Sequence, residues 1–280
     1  MTRDRSKTLV VPLLVFYAAS FVASQIVFLR LSLYPSAGRA AVDTRRMTLD
    51  NFATVFTDAY YQAVILQTLS FGLAVVGVCL GLGYPLSYVI ARSRRAGTVL
   101  LLIVVVSSFT GVVVRALGWR VLLGDMGPVN WALMSVGLTA QPIALVNNMT
   151  GAIIGTAHAS LPYMILLLVP VLEGIDPQLE EAAAGLGSSW WDAFRSVVVP
   201  LSLPGVVAGC LLVFATTVGS FTTPSLLGGP RAPILPIVIR QQITTTLNYP
   251  LGAALAVILV VLVVTIVLST SWLGRRIWSR

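Results

Sequence analysis

The sequence predicts an all-α polytopic membrane protein with about six transmembrane helices. Three observations carry that reading. Of the 280 residues, 57% are apolar and 10% are charged, with a mean hydropathy of +0.91. A soluble domain carries about 25% charged residues, so this chain cannot cover a water-facing surface. Six stretches are long enough to cross a hydrocarbon core, which takes about 20 apolar residues in a helix. Away from their ends, those stretches hold no Asp, Glu, Lys or Arg.

The first stretch, Thr8–Leu29, follows Arg3, Arg5 and Lys7. No small-residue cleavage site follows at a convincing distance, so it reads as a retained span and not a cleaved signal. The second, Ala63–Ala91, is longer than a span needs and is expected to tilt or project beyond the bilayer. Gly77, Gly81, Gly83 and Pro85 punctuate it, which membrane helices tolerate and which allows close helix contact. The others are Gly97–Val114, Met149–Leu172, Gly205–Ser225 and Leu251–Leu273. Two further pieces predict short helices at the outer interface. One is GPVNWALMSVGL, with Val129, Leu133 and Val136 beside Trp131; the other is Pro236–Pro250. No internal repeat or soluble domain is visible. The chain reads as one membrane domain, 1–280: an N-terminal span and outer loop over 1–50, and a core over 51–280 with a polar loop at about 173–204.

Lys and Arg near span ends set orientation. With the N-terminus inside, the cytoplasmic segments hold Arg3, Arg5, Lys7, Arg92, Arg94, Arg95, Arg195, Arg275, Arg276 and Arg280. The outer segments hold Arg30, Arg39, Arg45, Arg46, Arg115, Arg120, Arg231 and Arg240. The dense RSRR turn at Arg92–Arg95 favours this arrangement, which places both termini and the polar loop in the cytoplasm.

Several function classes are excluded or disfavoured. There is no G-x-x-x-x-G-K-[ST], so no P-loop nucleotide site. The pI of 10.1 comes without a basic stripe interleaved with aromatics, which argues against nucleic acid. Cys79 and Cys210 lie in apolar runs and read as core residues, not a disulfide or metal pair. His158 also lies in an apolar run and reads as a packing residue. Intramembrane charges usually mark ion or proton relays, and inverted repeats mark many secondary carriers. Neither is present, which disfavours a stand-alone carrier. A membrane enzyme would need acids or His clustered with metal-ligand spacing at one face. Asp176, Glu180 and Glu181 have no His among them.

The polar loop is the most distinctive segment. Asp176 followed by Pro177 is a helix start. Glu180 and Glu181 fall in the first turns, where negative charge suits the helix dipole. Ala182, Ala183 and Ala184 favour helix while presenting almost no side chain, and Gly185 and Gly187 end it. Ser189-x-x-Asp192 starts a second short helix, which carries Phe194 and Val197–Val199 and is expected to stop at Pro200. A loop that only joins two spans rarely needs thirty residues. The bare alanine face therefore suggests docking of another protein, with an amphipathic loop on the membrane surface as the alternative.

Glu181-Ala182-Ala183, three residues, Gly187, nine residues, then Val197-x-Val199-Pro200 resembles the EAA loop, E-A-A-x3-G-x9-I-x-L-P, of bacterial ABC importer permeases. Beyond it, Asn51–Leu73, Leu82–Arg92, Val113–Asn130 (with VRALGW), Leu161–Met164, Thr222–Pro230 (with PSLLGGP) and Asn248–Leu259 are similar to the spermidine/putrescine-type permease subfamily. The resemblance covers nearly all of the chain beyond the first forty residues. It implies a MetI-like permease fold in a bacterial inner membrane. It also implies a cytoplasmic coupling helix that docks on an ATPase through Glu181, Ala182, Ala183 and Gly187, with Trp190 and Asp192 beside them. The implied partners are two copies of the ATPase, which bind ATP and Mg, a second related permease and an extracytoplasmic solute-binding protein. No catalytic residue, metal or cofactor is implied in this chain.

The resemblance implies a polyamine solute. A pathway for a polycation is expected to carry acids or aromatic faces, yet the outer half-spans hold no acid. Where many relatives place one before the Phe of the fifth span, this chain has Ser220. Arg115, Arg120, Arg231 and Arg240 stand at the outer mouth, either paired with lipid or Asp125 or available to a zwitterionic or anionic solute. An opine, amino acid derivative or aminophosphonate remains the alternative. Trp119, Tyr163, Ser220, Thr222 and Thr223 are the candidate pathway residues, with helix packing the alternative role for each.

Overall fold

The computed structural model describes residues 3–38 and 40–278. Arg39 and Arg280 of the charge count lie outside the described residues. The elements in chain order are α1 (Arg3–Ser32), α2 (Asp50–Thr57), α3 (Ala59–Arg92), α4 (Arg94–Ser108), α5 (Val112–Leu122), α6 (Pro128–Ser135), α7 (Met149–Glu173), α8 (Pro177–Gly185), α9 (Trp190–Ala193), α10 (Val199–Val218), α11 (Thr222–Leu227), α12 (Leu235–Thr244) and α13 (Tyr249–Trp278). No strand occurs among the described residues beyond one isolated bridge, Ser36 to Val42. Five helices are long and apolar enough to cross a membrane, or six if the bent pair α4–α5 counts as one span.

Two of the expected spans are built differently. The third is not one helix over Gly97–Val114. It breaks after Ser108 and bends by 100° into α5. The run Ser107-Ser108-Phe109-Thr110-Gly111 offers hydroxyls and a glycine where an unbroken helix would offer apolar side chains. The fifth expected span, Gly205–Ser225, is displaced toward the N-terminus: a continuous helical run covers Trp190–Val218, and α11 follows as a separate short helix. Pro200 does not stop it. Residues Phe194–Val198 form a π turn in which the Val199 N–H reaches the Phe194 carbonyl. That widened turn accommodates Pro200, which lacks an N–H and would crowd an ordinary α turn.

The described residues fall into two compact units. The first comprises residues up to Val64 with Leu235–Leu262. In it, the Asn51 amide donates to the carbonyls of Ser32 and Tyr34, both at 2.9 Å, satisfying the end of α1. The Gln242 amide reaches the Tyr61 hydroxyl at 3.3 Å. Between Val11 and Leu29 the described side chains of α1 are exposed, with Phe16 and Tyr17 each at 72%.

The second unit comprises Ile65–Ile234 and Val263 onward. Its centre is α7, over half buried along its apolar window. Helix α10 packs along it, and α4, α5 and α11 also contact it. Glycines permit the close approach. A Cβ on Gly209 would sit 2.6 Å from the Met164 sulfur, and one on Gly83 would sit 3.0 Å from Met164 Cγ. Met164 thus fills the space between α3 and α10. Gly77 and Gly81 face open space, so of the three glycines expected to allow close contact only Gly83 does so. The two expected short helices form as α6 and α12. Fully buried Asn130 of α6 ties its loop, accepting from the Ile143 N–H at 2.8 Å and donating to the Ile143 and Gly124 carbonyls.

Candidate docking knob and transport cavity

The polar loop forms a helix–turn–helix knob in the second unit. The Asp176 carboxylate caps α8 by accepting from the Gln178 N–H at 2.9 Å, and Pro177 occupies the first turn. Gly187 has φ +88°. Its N–H reaches the Ala184 carbonyl at 2.9 Å, and the Ser188 N–H reaches the Ala183 carbonyl at 3.1 Å, the two bonds of a Schellman ending. Gly187 therefore sets the turn. The Ser189 hydroxyl caps α9, accepting from the Asp192 N–H at 3.2 Å while donating to the Asp192 carboxylate at 2.6 Å. The Asp192 carboxylate is thus held by the serine hydroxyl instead of closing a reciprocal capping box.

Glu181, Ala182, Gly187, Trp190 and Asp192 are exposed and Ala183 is half-buried. Leu186, at 90% exposure, projects from the turn beside them. A bare alanine face flanked by an apolar tip is a surface that another protein can approach to backbone distance. Trp190 and Trp191 each stack on Phe194 with centroids 5.6 Å apart, giving the knob a firm aromatic base.

A set of residues behind the knob escaped the sequence reading. Glu180 points back, not outward. It forms an ion pair with Arg92 at the end of α3 and accepts from the Tyr88 hydroxyl at 2.6 Å. Arg92 also donates to the carbonyls of Leu172 and Ile175 at 3.2 and 3.1 Å. The Tyr88 ring meets Phe194 edge-on at 5.2 Å. The available signal was the four-residue spacing of Tyr88 and Arg92, which puts both on one helix face; nothing in the sequence said which glutamate they would meet.

A cavity of about 190 Å³ lies among α5, α7, α10 and α11, lined by Ser108, Arg115, Thr156, Ser160, Tyr163, Thr216, Ser220 and Thr223 with Val112 and Ala159. It gathers three of the five candidate pathway residues, Tyr163, Ser220 and Thr223. Thr222 does not line it, and Trp119 instead meets His158 edge-on at 5.4 Å. The lining has hydroxyls and a guanidinium but no carboxylate. Arg115 donates to the carbonyls of Ser107, Ser108, Thr110 and Ala159, so it is held by backbone and not by Asp125. The Thr156 hydroxyl is buried without a hydrogen-bond partner. A second cleft of about 700 Å³ holds Arg120, Asp125, Asn147 and Arg231. Neither Arg120 nor Arg231 forms a salt bridge with Asp125. No three metal-ligating side chains cluster among the described residues.

The fold is that of a polytopic helical membrane protein with a capped polar knob, and comparison with known proteins gives its family. Residues 80–279 match the binding-protein-dependent transport system inner membrane component family, and the chain belongs to it. It is similar to the spermidine/putrescine transport system permease protein PotB of Haemophilus influenzae, at 34% identity over 79% of this chain and 77% of that one. It is also similar to the inner membrane ABC transporter permease protein YdcU of Escherichia coli, at 31% identity over 79% and 74%. Among solved structures, a chain of a bacterial alginate ABC transporter, in complex with an alginate pentasaccharide-bound periplasmic protein, shares the fold with TM-score 0.77 and 18% identity over 98% of this chain and 96% of that one. A chain of the MetNI methionine ABC transporter aligns with TM-score 0.59.

Proposed function

We propose that this chain is the permease that forms half of the solute pathway of an ATP-driven importer and that the α8 knob docks the ATPase. The Glu181-Ala182-Ala183 face, exposed at Glu181 and Ala182 and half-buried at Ala183, ending in the Gly187 turn, carries this reading. ATP and Mg then belong to the partner ATPase, two copies of which serve the complex. A second related permease supplies the other half of the pathway and the other knob. An extracytoplasmic binding protein delivers solute to the outer cleft. The RSRR turn and the knob lie at the cytoplasmic face, as do both termini.

The solute we favour is a polyamine of the spermidine or putrescine type, on the strength of the PotB relatives. One observation supports a different reading. The cavity holds Arg115 and Ser220 and no acid, which suits a zwitterionic or anionic solute such as an opine, amino acid derivative or aminophosphonate, unless the partner permease contributes the acids. A tagged pull-down from native membranes in mild detergent tests the class. Recovery of a P-loop ATPase and a second six-span permease is expected, and recovery of this chain alone contradicts it. Stimulation of ATP hydrolysis by spermidine, but not by amino acid derivatives, in the recovered complex with its binding protein is expected for the polyamine reading. The reverse selects the alternative.

A further inference from the structure

We propose that Arg92 is a positioning residue that transmits movement of the docking helix to the membrane spans. The proposal rests on the reading of α8 as the ATPase dock. One guanidinium joins three helices. It sits on the last turn of α3, pairs with Glu180 in the first turns of α8, and donates to the carbonyls of Leu172 and Ile175 where α7 ends. The Leu172 carbonyl lies in the last turn of α7, at the negative end of its dipole, and that of Ile175 lies just beyond it, so a cation there is favoured. Tyr88, one turn earlier, holds the second carboxylate oxygen of Glu180 at 2.6 Å. Its ring lies 5.6 Å below the guanidinium carbon and edge-on to Phe194 and Trp190, which brings α9 into the same cluster.

The Arg92 and Glu180 side chains are only 19% and 17% exposed. Separating them would leave a largely desolvated charge on each side, which is more costly than never forming the pair. A displacement of α8 therefore carries α3 and α7 with it more readily than it breaks the contact. Arginine suits this task because its planar fork holds a carboxylate and two carbonyls at once, which a lysine ammonium cannot do in a fixed geometry. The alanine face contacts the partner; the glutamate behind it passes the displacement on. Adjacent residues Glu180 and Glu181 thus have separate tasks.

The test uses the complete importer in liposomes, with Cys210→Ser and a reporter cysteine, Thr216→Cys, on the transport cavity. Three quantities are read: ATPase recovered with this chain, ATP hydrolysis, and the change in maleimide labelling of the reporter when ATP and vanadate trap the complex. Arg92→Ala is expected to leave recovery and hydrolysis within about twofold while reducing the labelling change about tenfold, the scale of losing a half-buried paired charge after allowance for solvent. The double variant Arg92→Ala/Glu180→Ala is expected to be no worse than Arg92→Ala alone, because the two residues act as one unit. An unaltered labelling change in Arg92→Ala, or additive losses in the double variant, would overturn the proposal. Should Arg92→Ala fail to accumulate in the membrane, Glu180→Gln, which keeps shape and removes charge, decides in the same way. Ala183→Arg reports on the underlying reading separately: normal ATPase recovery in that variant would sink the dock itself, whatever Arg92 does.

Discussion

Arg92 and Arg115 flank opposite ends of α4, and both spend their donors on backbone carbonyls. Arg92 serves the end of α7 and adds a carboxylate partner on the knob. Arg115 serves the broken end of α4, reaching the Ser107 and Thr110 carbonyls at 2.8 and 2.9 Å, and has no acid. The difference separates a tether from a brace. Arg92, with a carboxylate on another element, ties the knob to α3; Arg115, whose partners are all carbonyls, fixes the bend after α4 and reaches Ala159 on α7. Both arginines leave Nε buried without a partner; Arg115 does so at the wall of the polar cavity, Arg92 behind the knob.

That contrast can be broken experimentally, and the largest effect should come from the brace. Arg115→Ala strips four carbonyls of their donor at the bend and is expected to cost about 3 kcal/mol, seen as a fall in folded protein in the membrane and in melting temperature in detergent. A stable Arg115→Ala would show that the bend is fixed by the Thr110-Gly111 backbone instead. Next is Gly187→Val, which forces a β-branched residue into positive φ at about 1–2 kcal/mol. Its effect should be confined to the knob, with ATPase recovery reduced and membrane level unchanged. A smaller loss, about 1 kcal/mol at most, is expected for Ser189→Ala, which removes the α9 cap; ATPase recovery at rising salt should fall slightly ahead of the parent. The smallest effect is predicted at the cavity. Ser220→Asp adds one acid in partly wet surroundings, worth about 1 kcal/mol, and should lower several-fold the spermidine concentration that half-saturates ATP hydrolysis. No change there would take Ser220 off the cation path.

The knob was legible because its determinants are contiguous. Asp176-Pro177, the alanine run, Gly187 and Ser189-x-x-Asp192 each act within one turn of themselves, so sequence spacing is spatial spacing. The six apolar stretches were legible for a similar reason, since length and hydropathy are local quantities. The break in the third span was not. Ser107 to Gly111 are individually tolerated in membrane helices, and what holds the bend is the Arg115 side chain reaching back over them. Pro200 misled because a proline stops an α turn, and the π turn at Phe194–Val198 that accommodates it leaves no compositional mark. The cavity was half legible: Tyr163, Ser220 and Thr223 share its wall, but Thr156 and Ser160 looked like ordinary small residues of an apolar span. The EAA spacing singles out Glu181, and only the placement of Arg92 and Tyr88 reveals what its neighbour Glu180 does.

The central claim is that the alanine face of α8 meets an ATPase, and cysteine cross-linking tests it directly. Cys79 is buried and Cys210 half-buried, so with Cys210→Ser an added Ala182→Cys becomes the reactive thiol on the knob. Treated in native membranes with a short bifunctional cross-linker, Ala182→Cys is predicted to give an adduct containing a P-loop ATPase, while Trp131→Cys on α6 gives none. An ATPase adduct from Trp131→Cys, or none from Ala182→Cys in membranes where the ATPase is present, would contradict the account.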